Sequence, residues 1–351
     1  EYVMFQRFKR GTLIIVFLLL GAFLFGCSCD DKNKEMPRTY VADGVYLEYK
    51  TLDVNNRPLI STVAVTIKSD TIDSVYIDCI DSEEILVEGV VDYKLKAQSR
   101  KELGYLFGLH NQDELASGYK KQDLNTAEGL QIYKDHLLAQ NKKEWFEQAA
   151  ILEAYFKTGN SVLELDNGYI TSLEGVSIKD IAFSELFVKA VANAKTGTFK
   201  AFKYVNKYDV ISATAKISKT KKLEKLTLDV LSGKTSSGIF KFDLESRMTM
   251  KYAYGMYNKD DAEYEYVRQD LTTAIGLETY RAYLEVSNQY EWFQQSTLFT
   301  NFILSNGYSK VRMASDGEHL EEGLIEGVNM AVGDYYRLLN ALNKYMGRGL
   351  G

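Results

Sequence analysis

The chain repeats itself. DLNTAEGLQIYKDHL at 123–137 returns as DLTTAIGLETYRAYL at 270–284, with eight of fifteen residues identical at a spacing of 147. The same spacing relates Phe107-Gly108-Leu109 to Tyr254-Gly255-Met256, and Glu144-Trp145-Phe146 to Glu291-Trp292-Phe293. About 40 residues therefore align without a gap, and they carry the only two Trp of the chain. Internal repetition fixes the unit of folding. Two copies of about 145 residues are each long enough to bury a core. They are too few for a solenoid, so two related domains are expected, at 40–195 and 196–351.

Ahead of the repeats, Arg7, Lys9 and Arg10 precede an apolar run from Leu13 to Phe25, closed by Gly26-Cys27. A basic start and an apolar stretch shorter than about 18 residues describe a secretion signal better than a membrane span. Cys after Gly26 adds a bacterial lipoprotein signature: diacylation of the Cys27 thiol and cleavage before it. An uncleaved signal anchor is the rival. Met4 is the first Met, so residues 1–3 are expected to be an upstream extension of the reading frame. Residues 1–26 are then the signal and 27–39 a polar tether.

Past Cys27 only Cys29 and Cys79 remain, which excludes a disulfide framework or a paired-cysteine metal site. Cys79, in an alternating pattern, is expected to be a buried thiol. Without residues 1–26 the chain holds 39 Lys and Arg against 47 Asp and Glu, a net charge of −8. Such a chain has no electrostatic case for nucleic acid.

Period-two alternation at Val63, Val65 and Ile67 and at Val75, Ile77 and Cys79 predicts strands with one wet face. Ala213, Ala215 and Ile217, then Leu226, Leu228 and Val230, answer in the second copy. Further strands are expected at 44–50 and 87–97, matched by 198–205 and 238–250. Three-to-four spacing of Leu124, Ala127, Leu130, Tyr133 and Leu137 predicts a helix, with another over 143–156. A last helix is expected over 181–194 with Asp180 as N-cap, and its partner over 335–346 after Asp334. Strands first and helices after make each repeat an α+β unit, an antiparallel-rich sheet followed by helices.

The strings Lys101-Glu102-Leu103, Lys143-Glu144-Trp145-Phe146-Glu147-Gln148-Ala149-Ala150 and Gly175-Val176-Ser177-Ile178 resemble the tandem FMN-binding-domain lipoproteins of Gram-positive bacteria. Tyr254-Gly255-Met256 and Glu291-Trp292-Phe293-Gln294-Gln295 carry the likeness through the second copy. The resemblance implies an FMN-binding-domain-like fold in both repeats, anchored by lipid on the extracytoplasmic face of the cell membrane. It implies FMN held covalently through a phosphoester to a Thr hydroxyl, installed by a separate flavin transferase. Electrons would come from a quinone-linked donor in the membrane, so the chain would be a carrier rather than an enzyme that turns over a substrate.

Aligned to the family, the acceptor Thr falls on Ser177 in the first repeat and Asn329 in the second. A Ser oxygen can form the phosphoester and an amide cannot, so the resemblance implies at most one flavin, on Ser177. Departures from the pattern leave a second reading open. The residues before the acceptor are Thr171-Ser172-Leu173-Glu174, and an insertion at 111–141 separates Phe107-Gly108-Leu109 from the Trp helix. Ser177 could instead satisfy backbone groups, and the chain could be a surface lipoprotein that kept the fold, lost the flavin and serves as a binding or interaction module. In some relatives the end of the signal is trimmed to a peptide pheromone, and Leu19 to Gly26 has that character.

Tyr133 and Tyr280 are expected to pack as amphipathic wall rather than stack on a flavin. Trp145 and Trp292 are expected in the core or at a groove rim. His110, His136 and His319 are too scattered for a metal site and are expected to be solvent-exposed. The acidic stretch 260–265 lacks calcium-loop spacing and is expected to be a solvated loop.

Overall fold

The computed structural model describes residues 38–347 and 350. The signal, Cys27 and nearly all of the tether lie outside the described residues. From Thr39 onward the chain forms one compact unit, an α+β structure of small antiparallel sheets and helices.

Two-residue turns set the first sheet. Strands β1 (Gly44–Val54), β2 (Arg57–Lys68) and β3 (Thr71–Ile80) pair antiparallel in that order. Asn55-Asn56 and Ser69-Asp70 link them, all four with positive φ. Positive φ at both central positions gives the turn whose twist matches that of the strands it joins. The alternation of β2 and β3 then places Val63, Val65, Ile77 and Cys79 on the covered face. Cys79 is fully buried, and burial pushes its thiol up to about 12, as expected of an inert core cysteine.

One expected strand becomes a hairpin. Glu88-Gly89, both with positive φ, turn the chain between β4 (Ser82–Val87) and β5 (Val90–Leu95), so 87–97 is not continuous strand. In the second half β8 (Thr198–Val205), β9 (Asp209–Ile217) and β10 (Leu223–Leu231) repeat the three-stranded sheet. The strand expected over 238–250 ends early: β11 (Gly233–Ser236) pairs with β12 (Ile239–Phe242), and Arg247–Met250 is a short helix.

After each set of strands come the helices. In the first half α1 (Arg100–Leu103) is closed by a capping box between Ser99 and Glu102. Helices α2 (Ala127–Ala139) and α3 (Trp145–Lys157), a two-residue ladder β6 (Leu165–Asp166) with β7 (Tyr169–Ile170), and α4 (Phe183–Thr196) follow. The second half answers with α5 (Arg247–Met250), α6 (Ala274–Val286), α7 (Trp292–Asn306) and α8 (Gly333–Tyr345). Helix α3 packs on β3 and α4 on β1 and β2, as α7 packs on β10 and α8 on β8 and β9.

Asp180 is not the N-cap of α4. Ala182 holds that position with φ +68, while Asp180 accepts hydrogen bonds from the Ser184 amide (3.2 Å) and hydroxyl. Asp334 lies inside the first turn of α8 rather than before it.

The duplicated string now has a physical account. The carboxylates of Asp123 and Asp270 each accept from the amide two residues on, at 3.0 Å, an Asx turn. Thr126 and Thr273 cap α2 and α6 by accepting from the amides of Gly129 and Gly276. A Cβ on either Gly would lie 2.2 or 2.0 Å from the Asp123 or Asp270 carbonyl oxygen, which leaves room for glycine alone. Each copy of this segment thus builds its own lobe, with Tyr119, Leu124, Tyr133 and Leu137 in one small core and Tyr266, Tyr280, Tyr283 and Leu284 in the other.

Candidate functional site

Each Trp helix begins with a glutamate that has left the solvent. Glu144 and Glu291, both fully buried, are the N-caps of α3 and α7 and close capping boxes with Glu147 and Gln294. Beyond the cap, Glu144 accepts from the Leu109 amide (3.1 Å) and the Tyr133 hydroxyl, and Glu291 from the Met256 amide (3.0 Å) and the Tyr280 hydroxyl. The same two hydroxyls accept from the amides of His110 and Tyr257, each at 3.1 Å. Burial, opposed by these donors, raises both carboxyls above the usual glutamate range. Tyr133 and Tyr280 are therefore wall and lock together, buried as expected of packing residues. Trp145 and Trp292 are core.

Four residues into each Trp helix, a buried glutamine reaches the acceptor segment. Gln148 Oε1 accepts from the Ser177 amide at 2.6 Å and the Ser177 hydroxyl at 3.3 Å, while its Nε2 donates to the Lys143 carbonyl at 2.8 Å. His110 Nε2 lies 3.2 Å from that same carbonyl. In the second half Gln295 Oε1 accepts from the amides of Asn329 (2.9 Å) and Met330 (2.8 Å), and its Nε2 donates to the Tyr290 carbonyl (2.6 Å). Both aligned positions are thus held at equivalent places, two residues after a left-handed glycine, Gly175 or Gly327.

The two side chains then differ. Ser177 is exposed and its hydroxyl makes one long hydrogen bond. Asn329 is exposed as well but is tied down: the Tyr257 hydroxyl accepts from Gln295 Nε2 at 2.9 Å and donates to Asn329 Oδ1 at 2.8 Å. The Lys143 stem runs along Gly175, where the second half sets the neutral Tyr290 ring against Gly327. Ser177 with Lys143 nearby fits a phosphoester, a hydroxyl acceptor with a cation to offset the phosphate charge. An amide beside a phenol ring does not fit.

His136 overturns the expectation of exposed imidazoles. It is buried, stacked on Tyr119 at 3.8 Å, with Nε2 3.5 Å from Glu114. His110 is half-buried, and burial with Lys142 nearby lowers its pKa. His319 is exposed, with its Nδ1 2.6 Å from an Asp316 carboxylate oxygen. Among the described residues no group of His, Cys, Asp and Glu is placed to hold a metal ion. None of the described helices is long and apolar enough to cross a membrane.

The roles of Gln148 and Glu144 were missed in the sequence, although both recur at the 147-residue spacing, as Gln295 and Glu291. Their signal was the pairing of an apolar Trp helix with a Glu at its cap and a Gln four residues later, polar residues placed to face the core. No family model, curated protein or solved structure matches the chain.

Proposed function

We propose that this chain is a lipid-anchored extracytoplasmic electron carrier, built as two tandem FMN-binding-like domains, in which only the first holds flavin, bound covalently through Ser177. The observation that carries the reading is the contrast between equivalent positions. Ser177 presents an exposed hydroxyl on a loop fixed by a buried glutamine, and Asn329, fixed in the same way, has no oxygen nucleophile and is tied to Tyr257. When bound, FMN supplies the electron transfer. The protein would fix the acceptor backbone through Gln148, offer Lys143, whose stem lies along Gly175, as a cation for the phosphate, and through Cys27 and the tether keep the carrier within reach of a quinone-linked donor.

A flavin-free binding or interaction module is the second reading. It draws support from the two inserted lobes, which give both halves an extra surface and do so equally where no flavin can attach.

Mass spectrometry after co-expression with an active flavin transferase separates the two. One FMN added to the native chain and none to Ser177→Ala is the expected pattern, and Asn329→Thr tests whether the second groove recognises flavin once an acceptor hydroxyl is restored. A native chain without flavin would overturn the carrier and leave the module.

A further inference from the structure

We propose that a groove between the two halves, away from Ser177, binds the phosphate group of a small phosphomonoester. The groove encloses about 530 Å³ where β1 and α4 meet β8, β9 and β10, a size that suits a small ligand. Lys50, Lys189 and Lys200 line it, on three different elements, in a chain whose net charge is −6. The counter-charges are unequal. Glu48 is a buried floor, 4% exposed, held by Lys200 at 2.6 Å and by the Asn193 amide. Glu185, outside the groove lining and with its side chain 41% exposed, is shared by Lys50 and Lys189, each at 2.6 Å. Their hydrogen bonds hold the Glu185 carboxyl below its usual range.

Two ammonium groups around one exposed carboxylate make an anion site with a weak resident. Exposed ion pairs of this kind contribute little, whereas a dianionic phosphate gathers both cations and keeps oxygens free for further donors. Ser212 and Thr214, from β9, line the same groove and supply hydroxyls. The structure thus assigns a subsite that prefers a phosphomonoester to a monoanion, because two ammonium groups match its two negative charges.

Calorimetric titration of the full chain with inorganic phosphate, at ionic strength held constant with chloride, tests this. Saturable binding to one site is expected, weakened by about tenfold or more in Lys50→Ala/Lys189→Ala and tightened in Glu185→Gln, since a tenfold change is what one charge-assisted contact is worth. Glu185→Gln removes no cation and so keeps the test alive if the double variant misfolds. Heat no greater than that of chloride, affinity unchanged in both variants, or equal binding of dimethyl phosphate would each overturn the assignment. Loss of flavin attachment at Ser177 would leave it untouched.

Discussion

At the scale of single residues, the fold spends its buried polar groups on two carboxylates. Glu144 caps a helix, pins the Gly108 turn through Leu109 and receives the Tyr133 hydroxyl, so three segments converge on one side chain. Removing one donor leaves the charge buried and short of a partner. Tyr133→Phe is therefore expected to cost about 1–3 kcal/mol, read from urea midpoints, and Tyr280→Phe the same. A cost near zero in both would mean that the lock is not formed. The pH dependence has a definite sign. An unfolded glutamate titrates near pH 4.3, roughly, and burial raises Glu144 above that. Between those values the folded chain still holds a proton that the unfolded chain has released. Stability from this group is fully present below the unfolded pKa and is lost as pH rises through the folded one. Glu144→Gln does not titrate, so its deficit relative to the native chain is expected to shrink as pH rises above about 4.3, the unfolded value. Urea midpoints showing a constant or growing deficit would sink that account.

At the scale of elements, duplication supplies internal controls. In the lobe around α2, Asn111 bonds the Gln122 carbonyl and amide and receives the Tyr119 hydroxyl. Asn258 does the same with Gln269 and Tyr266 around α6. A buried position that is exchanged between the lobes is His136, where the second lobe has Tyr283, stacked on Tyr266 at 4.0 Å and donating to Asp261 at 2.8 Å. His136→Tyr is accordingly expected to stay within about 1.5 kcal/mol of the native stability. His136→Ala, which abandons the stack on Tyr119, should cost about 2–4 kcal/mol, on the scale of a buried ring lost to a cavity. Equal loss in both variants would show that the lobes are not interchangeable. This exchange also shows what the sequence could disclose. Period and offset reveal β2, β3, the Trp helices and the duplicated segment before each of them, because each depends on local spacing. The β4–β5 hairpin was illegible, since Glu88 is not a residue that announces positive φ. The burial of His136 depends on Tyr119 and Glu114 folding back over it, and spacing along a helix carries no record of that. At the candidate site, Ser177 and Asn329 could be placed by resemblance. That Gln148 and Gln295 hold them could not, because the clamp joins residues 29 and 34 apart in sequence.

At the scale of the whole molecule, the two halves share a boundary that neither would have alone. Tyr46 stacks on Phe199 at 4.3 Å and Tyr49 on Phe202 at 4.5 Å, joining β1 to β8, and the main hydrophobic core continues across that seam. Tyr46 and Phe199 are both fully buried in the intact chain. Each half nevertheless owns a complete three-stranded sheet with its covering helices, so fragments 40–195 and 196–351 are each expected to be soluble and to unfold cooperatively. Separation would strip the cover from one face of β1 and of β8. Uncovering buried aromatic side chains costs about 1.5–3 kcal/mol each, so both fragments should melt well below the intact chain. The intact chain, with its continuous core, should unfold in a single transition by calorimetry. Mixing the fragments should restore part of the lost stability, because the ring pairs re-form without a covalent link. Fragments as stable as the whole would mean that the seam contributes nothing. If neither fragment gives a transition, the repeats are not separable domains at all, and what the duplication copied was half of one core.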